Sequence, residues 1–129
     1  MLPPEFAGLL SLKFIKLNFF VTKSFRSANT LTLFNHSPFR FRHLEFKNHL
    51  GIAAGLDKEG KYFSALGSLG FSFIEVGTFT PIRQDGNDHP RIKRIKKDKS
   101  LINRLGFNNP GIQQGIANIK QNKNSFSGI

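Results

Sequence analysis

The 129-residue sequence contains no cysteine and no tryptophan, and it has few acidic residues. Without cysteine the chain cannot form a disulfide, bind zinc or an iron–sulfur cluster through thiolates, or use a thiol as a nucleophile. A cytosolic setting fits this composition, because intracellular proteins rarely depend on disulfides. The hydrophobic content of 39% and the charged content of 21% exclude a chain that is disordered by composition.

Long apolar runs and common catalytic motifs are also missing. The best candidate for a membrane span, residues 6–21, is interrupted by Lys13, Lys16 and Asn18, whereas a span needs about 20 mostly apolar residues. A signal peptide is not predicted, because Glu5 and no basic residue precede this stretch. The sequence has no Gly-x-Gly-x-x-Gly, Walker or serine-nucleophile motif, and its histidines lack metal-ligand spacing, so no metal site is predicted.

Positive charge is abundant, since 19 basic residues against 8 acidic ones give a net charge of +11. Such an excess indicates an anionic partner: nucleic acid, a phosphorylated ligand or an anionic membrane surface. Residues 91–99 contain six of the basic residues. One hypothesis is therefore a small basic protein that binds nucleic acid or an anionic membrane through residues 91–99. The commoner outcome for such a run is a solvated face.

The first part of the chain, residues 1–43, differs from the rest and is predicted to form a small helical domain. Pro3 and Pro4 suit the start of a helix, and residues 5–25 are rich in Leu and Phe with interspersed basic residues. This pattern is typical of a helix lying in a membrane interface, although a helix packed on its own protein is an equal alternative. Residues 26–36 predict a turn and a second short helix, and Pro38 predicts an extended exit.

Residues 44–129 alternate between short apolar runs and helical patterns. Strands are predicted at residues 44–46, 50–54 and 71–79, with a helix at residues 59–69 that ends before Gly70. A strand–helix–strand unit of this length implies a parallel sheet. A long excursion follows at residues 80–100, in which residues 91–95 form one arm of a hairpin. Residues 108–111 predict a loop, residues 110–122 a helix, and Gly128 and Ile129 the start of another strand.

Three polar segments could form a site, and each has an ordinary structural alternative. Residues 53–58 follow a predicted strand, where α/β enzymes place their ligands, but they also suit a strand-to-helix turn with Asp57 near the helix start. Residues 75–81 end the next strand, with Gly77 and Thr78 facing a ligand or simply leading into a turn. Residues 103–109 contain three Asn, whose amides suit a planar polar ring, or form an Asn-rich turn.

These segments, in this order and spacing, resemble the dihydroorotate dehydrogenases. The matching stretches are residues 50–58, 65–71, 74–81, 84–91 and 101–109. Residues 2–7 and the helix after them resemble, more loosely, the leader of the membrane-associated class, whose small helical domain docks on the bilayer and admits a quinone. The resemblance implies an α/β chain that forms the N-terminal part of a (β/α)8 barrel, with the barrel portion at residues 44–129.

The resemblance also implies an FMN-dependent oxidation of dihydroorotate to orotate in pyrimidine biosynthesis, with quinone as electron acceptor and no nucleic acid as partner. It places FMN against Ala54, Gly55, Leu56, Asp57, Lys58 and Thr78, and the substrate against Lys58, Asn103, Arg104, Leu105, Gly106 and Phe107. The family's catalytic base, a serine in this class, would lie beyond residue 129. We therefore expect a truncated chain, inactive alone, from a peripheral protein of the bacterial cell membrane (cytoplasmic side) or the inner mitochondrial membrane.

Overall fold

The computed structural model describes residues 2–23 and 37–123, which form a mixed α/β arrangement of short elements. The predictions for residues 26–36 and for Gly128 and Ile129 lie outside these ranges. In chain order the elements are α1 (Pro4–Lys23), β1 (Phe39–Phe41), β2 (Leu44–Phe46), β3 (Gly51–Ile52), α2 (Phe63–Gly67), β4 (Phe73–Ile74), β5 (Ile92–Ile95), β6 (Ser100–Asn103) and α3 (Ile112–Lys123).

Helix α1 forms where the leucine- and phenylalanine-rich pattern predicts it. Glu5 lies in its first turn, where a negative charge is favourable beside the helix N-terminus. Only a narrow stripe that includes Leu12 and Phe19 is buried, and the helix packs there against α2. The rest of its apolar surface is exposed, including Phe14 at 64% and Leu17 at 63%. The helix thus packs on its own protein by one stripe and leaves an apolar face uncovered.

Within the described ranges, no helix combines the length and the apolarity that crossing a membrane would require. This finding agrees with the interruption of the apolar stretch by Lys13 and Lys16. Lys16 instead turns toward the body of the chain, where its ammonium donates to the carbonyl oxygen of Lys61 at 3.0 Å.

Strands β1 and β2 form an antiparallel hairpin directly after Pro38. Its register pairs Phe39 with Phe46, whose rings stack with centroids 4.9 Å apart. The ring of Phe39 also stacks on His49 at 4.2 Å, and Phe46 contacts Phe73 edge-on at 5.6 Å. These aromatic contacts attach the hairpin to the following parallel sheet. The predicted strand at residues 44–46 is confirmed.

The predicted strand–helix–strand unit is confirmed, but each of its elements is shorter than expected. Strand β3 pairs in parallel with β4, with the register Gly51 to Phe73 and Ile52 to Ile74, and α2 connects them. The ladder continues through the hydrogen bond from the amide of Glu75 to the carbonyl of Ile52, at 2.9 Å. Ala65 and Leu66 of α2, each 2% exposed, form the centre of the small core.

The excursion after β4 contains the predicted hairpin. Strands β5 and β6 are antiparallel, with Ile92 opposite Asn103 and Ile95 opposite Ser100. Helix α3 follows the predicted loop, and its buried residues are Gly115 and Asn118, while Ile112 and Ile116 are 37% and 40% exposed. The side-chain Nδ2 of Asn118 donates to the carbonyl oxygen of Glu59 at 2.8 Å, so a polar contact ties α3 to the chain just before α2.

Candidate active site

The loops that follow β3 and β4 are joined at the carboxyl edge of the parallel sheet. The amide of Gly55 donates to the carbonyl of Gly77 at 2.8 Å, and the amide of Gly77 donates to the carbonyl of Asp57 at 3.1 Å. Gly55 and Gly77 have φ angles of 101° and 111°, which residues with a Cβ rarely adopt. The structure therefore brings the predicted FMN segment, residues 54–58, next to Thr78.

The surface at this edge is open to a ligand. Residues 53–56 and Thr78 are exposed, and a Cβ placed on Gly55 would meet no atom within 4 Å. Nothing in the described chain thus blocks an approach to the backbone at Gly55. Small residues with an open backbone at the carboxyl end of parallel strands suit the ring or phosphate of a flavin nucleotide.

Asp57 differs from its neighbours, because its carboxylate serves the local fold. The residue is fully buried, at 0% exposure. Its carboxylate oxygens accept hydrogen bonds from the backbone amides of Lys61 at 3.0 Å and Tyr62 at 2.8 Å, just before α2. Asp57 thus has the role of the structural alternative given above, a residue of the strand-to-helix turn near the start of the helix. These bonds hold residues 57–62 as a turn, and the predicted helix consequently begins at Phe63 instead of Glu59.

The predicted substrate segment, residues 103–107, leaves the hairpin and folds against the loop at residues 84–87. The amide of Arg104 donates to the carbonyl of Arg91 at 2.8 Å. Asn87 holds the next residues, because its backbone amide donates to the carbonyl of Leu105 at 3.1 Å and its side chain to that of Arg104 at 2.7 Å. Phe107, with a φ of 55°, is 67% exposed.

Asn109 joins this segment to the loop after β4 and was not among the predicted site residues. The residue is 7% exposed. Its Oδ1 accepts hydrogen bonds from the backbone amides of Thr80 at 3.1 Å and Gly111 at 2.9 Å, and its Nδ2 donates to the carbonyl of Phe107 at 2.6 Å. The Asn-rich sequence at residues 103–109 could have indicated that an asparagine has a structural role here. It could not indicate which of the asparagines is buried.

A solvent-open pocket of about 510 Å³ lies beside these loops. Its volume is in the range of small-molecule sites. Most of its charged lining is internally paired: Lys61 with Glu59, Arg83 with Asp85, and Arg91 with Glu5. The lining comprises Lys58, Glu59, Lys61, Arg83, Gln84, Asp85, Arg91, Asn108, Asn109, Pro110 and Gln114.

Lys58 is the unpaired cation of this pocket within the described part of the chain. It is half-buried and forms no ion pair with any acidic residue in residues 2–23 or 37–123. Asn108 supplies a second unmet group, since its buried Oδ1 has no hydrogen-bond partner there. An unpaired ammonium and an unsatisfied amide oxygen suit a ligand that carries both negative charge and an N–H donor.

Arg91 is the most buried arginine of the site and binds Glu5 of α1. Its Nε lies 2.9 Å from Oε1 and 3.1 Å from Oε2 of Glu5, and its Nη2 lies 2.6 Å from Oε1. These hydrogen bonds hold the pKa of Glu5 below its ordinary value and raise the pKa of Arg91. His89 Nδ1 also lies 3.3 Å from Glu5. The sequence predicted neither contact.

The basic run at residues 91–99 is not a uniform cationic face. Arg91 forms an ion pair with Glu5, and Arg94 donates a hydrogen bond to the carbonyl of Leu2 at 3.1 Å. Lys93, Lys96, Lys97 and Lys99 are exposed on the hairpin. Since both arginines hold the N-terminal helix, the run is in part a structural element, and nucleic-acid binding through it is not favoured. No group of three or more metal-ligating side chains occurs among residues 2–23 and 37–123.

Comparison with known proteins agrees with this geometry. The family model described as dihydroorotate dehydrogenase matches residues 38–128. The dihydroorotate dehydrogenase (quinone) of Yersinia enterocolitica is 58% identical over 86 residues, covering 67% of this chain and 25% of that protein. The protein of the same description from Cellvibrio japonicus is 50% identical over 93 residues, covering 72% and 27%. The chain thus spans about a quarter of the length of these relatives.

Solved structures give the same result. Crystal structures of the dihydroorotate dehydrogenase of Eimeria tenella, ligand-free and in complex with ferulenol, superpose with TM-scores of 0.74 and 0.72 at 31% identity. The match covers 92% of this chain and 31% and 30% of those chains. The family match over most of the chain and the shared fold lead to one conclusion: the chain belongs to the dihydroorotate dehydrogenase family.

Proposed function

We propose that this chain is part of an FMN-dependent enzyme that oxidises dihydroorotate to orotate, with quinone as electron acceptor, in pyrimidine biosynthesis. The observation that carries the proposal is the unpaired Lys58 in the pocket beside Asn108. The substrate is an anion with ring N–H donors, which matches these two unmet groups. The names of the curated relatives support the reaction.

Within this proposal, β3, α2 and β4 are the first units of a (β/α)8 barrel. The parallel pairing of β3 with β4 and the gathering of polar loops at their carboxyl ends support it. Residues 44–129 would then be the barrel portion. Residues 1–43 would contact the membrane from one side, through the exposed apolar face of α1, although β1 at the end of this segment pairs with β2 of the barrel portion.

The FMN contacts are proposed at Ala54, Gly55, Leu56, Lys58 and Thr78, whereas the fully buried Asp57 would act only through the turn that it holds. The open backbone at Gly55 admits the cofactor, and the carboxylate of Asp57 holds the turn that orients Lys58. When bound, FMN supplies the redox chemistry, and the protein supplies position and charge. The ammonium of Lys58 would lower the energy of negative charge on the bound groups.

Lys58, Asn103, Arg104, Leu105, Gly106 and Phe107 are proposed to hold the substrate. Amide groups such as that of Asn103 both donate and accept, so they can pair with a ring that has imide edges. The tethers from Asn87 and Asn109 keep this segment in one conformation. A preformed segment lowers the entropic cost of orienting the substrate. None of the described residues is assigned the role of the catalytic base.

The partners proposed for the whole protein are dihydroorotate or orotate, a quinone and a membrane surface. The location would be the cytoplasmic side of a bacterial cell membrane, or the inner mitochondrial membrane in a eukaryote. Nucleic acid is not proposed as a partner, because both arginines of residues 91–99 have internal contacts.

A chimera tests the proposed function directly. Residues 38–128 would replace the corresponding segment of the Yersinia enterocolitica protein, to which the chain is 58% identical over 86 residues. We expect the purified chimera to be yellow and to reduce a soluble quinone when dihydroorotate is added. A folded chimera that binds FMN but forms no orotate, beside an active parent, would contradict the proposal.

Substitution of Lys58 by methionine in this chimera removes the charge while keeping an unbranched side chain. We expect orotate formation to fall by about 100-fold or more, because loss of a group that stabilises charge costs about 3 kcal/mol in the transition state. The matched control is Lys97→Met, which removes the same charge from the exposed hairpin. Equal rates for the two variants would show that Lys58 has no role in the reaction.

A further inference from the structure

The substrate segment proposed above is connected to the N-terminal helix by a continuous series of polar contacts. It begins at Glu5 in the first turn of α1. The Glu5–Arg91 pair bridges 86 residues of sequence, and its arginine side chain is only 9% exposed. Bidentate pairs between arginine and a carboxylate fix geometry as well as charge, particularly where they are shielded from water.

Arg91 passes this restraint to the loop at residues 85–87. The nitrogen that does not face Glu5, Nη1, donates to the carbonyl of Asp85 at 2.8 Å and lies 3.4 Å from that of Asn87. One guanidinium group therefore binds the carboxylate on one side and the loop backbone on the other. The carbonyl of Arg91 itself accepts the amide of Arg104 at 2.8 Å.

The loop in turn fits closely against the substrate segment, and glycines allow the approach. A Cβ on Gly86 would lie 2.3 Å from the carbonyl oxygen of Leu105 and 2.9 Å from Nη1 of Arg91. A Cβ on Gly106 would lie 2.7 Å from the amide nitrogen of Asn87. Because these backbones are in close contact, we expect a change in the position of Arg91 to move residues 104–106 as well.

We propose that Glu5 is a positioning residue that, through Arg91, fixes the backbone of residues 104–106 for substrate binding. The identification of residues 104–106 as a substrate contact rests on the proposed function. The link from Glu5 through Arg91 to residues 104–106 does not depend on it. Glu5 lies within the helical segment that faces the proposed membrane surface, so the link joins that segment to the ligand pocket.

Attachment of α1 does not depend on Glu5 alone. Leu12 and Phe19 are buried, and Lys16 donates to the carbonyl of Lys61 at 3.0 Å. Arg94 also donates to the carbonyl of Leu2. Neutralising Glu5 should therefore leave the helix docked while releasing Arg91, and this separates positioning from simple tethering.

The charged groups around Glu5 set the pH at which the link opens. Arg91 lowers the pKa of Glu5 mainly by hydrogen bonding, and His89 and Lys58 lower it further by their charge. A carboxyl group with a lowered pKa contributes its contact fully above its ordinary value of 4.5 and loses it as the pH falls through the lowered pKa. The link is thus intact at neutral pH and opens only in acid.

An NMR titration of the 129-residue chain tests the proposal. Amide and Glu side-chain resonances would be followed from about pH 6.5 down to about pH 3 in the parent chain, in Glu5→Gln and in Glu45→Gln. Glu45 is the matched control, since it forms an exposed pair with Arg40 at 3.0 Å. We expect the chemical shifts of the Asn87 and Arg104 amides to change with the same midpoint as the Glu5 carboxyl. This transition should disappear in Glu5→Gln and remain in Glu45→Gln.

Hydrogen exchange gives the second readout. In Glu5→Gln, the exchange protection of the Asn87 and Arg104 amides should fall by about tenfold. The protection of the Glu75 amide in the parallel sheet, and of α1 near Leu12, should not change. A parent chain in which Asn87 and Arg104 do not follow Glu5 overturns the proposal, whether or not the variant folds. So does equal loss of protection at Glu75, which would indicate general destabilisation.

Addition of orotate to the FMN-loaded chimera described above tests the proposed substrate separately from this proposal. Acid titration of Asn87 and Arg104 in the 129-residue chain, with no orotate-dependent shift at residues 104–106 of the chimera, would support the link and count against the proposed substrate. Orotate-dependent shifts in the chimera without the acid titration in the chain would support the proposed substrate and overturn the role of Glu5.

Discussion

Replacing Asp57 with alanine is expected to lower the free energy of unfolding by about 3 kcal/mol or more, which is a large effect for a substitution outside the apolar core. The carboxylate is fully buried and accepts the amides of Lys61 and Tyr62. Each hydrogen bond to a charged group contributes about 1.5–3 kcal/mol, and alanine leaves both amides without an acceptor. Urea unfolding followed by circular dichroism measures the loss.

Two further variants identify the cause. Asp57→Asn keeps one acceptor oxygen but turns an NH2 group toward a donor, so we expect about two thirds of the loss. Asp88→Asn removes the same charge from an exposed loop and should change stability by less than about 0.5 kcal/mol. Amide exchange at Lys61 and Tyr62 should accelerate in both Asp57 variants. Unchanged stability in Asp57→Ala would mean that the turn before α2 is held by other contacts.

Replacing Asn109 with alanine is expected to cost about 3 kcal/mol and to release the substrate segment. Its side chain makes hydrogen bonds to Thr80, Gly111 and Phe107 from a position that is 7% exposed. Loss of a buried partner leaves each group with its full desolvation penalty, about 1–3 kcal/mol. Unfolding in urea gives the total, and amide exchange at Thr80 and Gly111 gives the local effect.

Asn108 is the matched control, because it is the same residue type at the adjacent position. Its Oδ1 is buried without a partner in the described chain, so removing it abolishes no hydrogen bond of that atom. We expect Asn108→Ala to cost less than about 1 kcal/mol and to weaken orotate binding more than it weakens the fold. If Asn108→Ala destabilises the chain as much as Asn109→Ala, the two roles have been assigned to the wrong residues.

The order of most elements could be predicted from the sequence, whereas their lengths and the strand β1 could not. Apolar periodicity and the breaks at Gly70 and Pro110 indicate where strands and helices occur. The strand at residues 71–79 is nevertheless only Phe73–Ile74 in the structure. It ends early because Gly77 bonds to Gly55 and Asp57 across the sheet edge. Such pairing is non-local and leaves no periodic signature in the strand itself.

The site shows the same limit. Segments 53–58, 75–81 and 103–109 stand out by their small and amide residues, and their roles toward FMN and substrate came from family resemblance. Asn109 could not be recognised as a structural residue of the site, because the sequence does not distinguish a buried asparagine from an exposed one. Arg91 could not be recognised either. Arg91 was assigned to a basic run, although its partner is Glu5, 86 residues earlier. Charge clusters in a sequence do not reveal which members are paired in the fold.

The distance in sequence between Glu5 and Arg91 also affects when their contact can form during synthesis. A ribosome produces α1 at the start, but the arginine that binds its first turn is added only 86 residues later. Until then Glu5 lacks its arginine partner, although α1 can already pack through Leu12 and Phe19 against α2, which is synthesised earlier. Formation of the Glu5–Arg91 pair closes a long loop, which makes it a late folding step. Slow codons before position 91 should therefore prolong the interval in which the first turn of α1 is not held by Arg91.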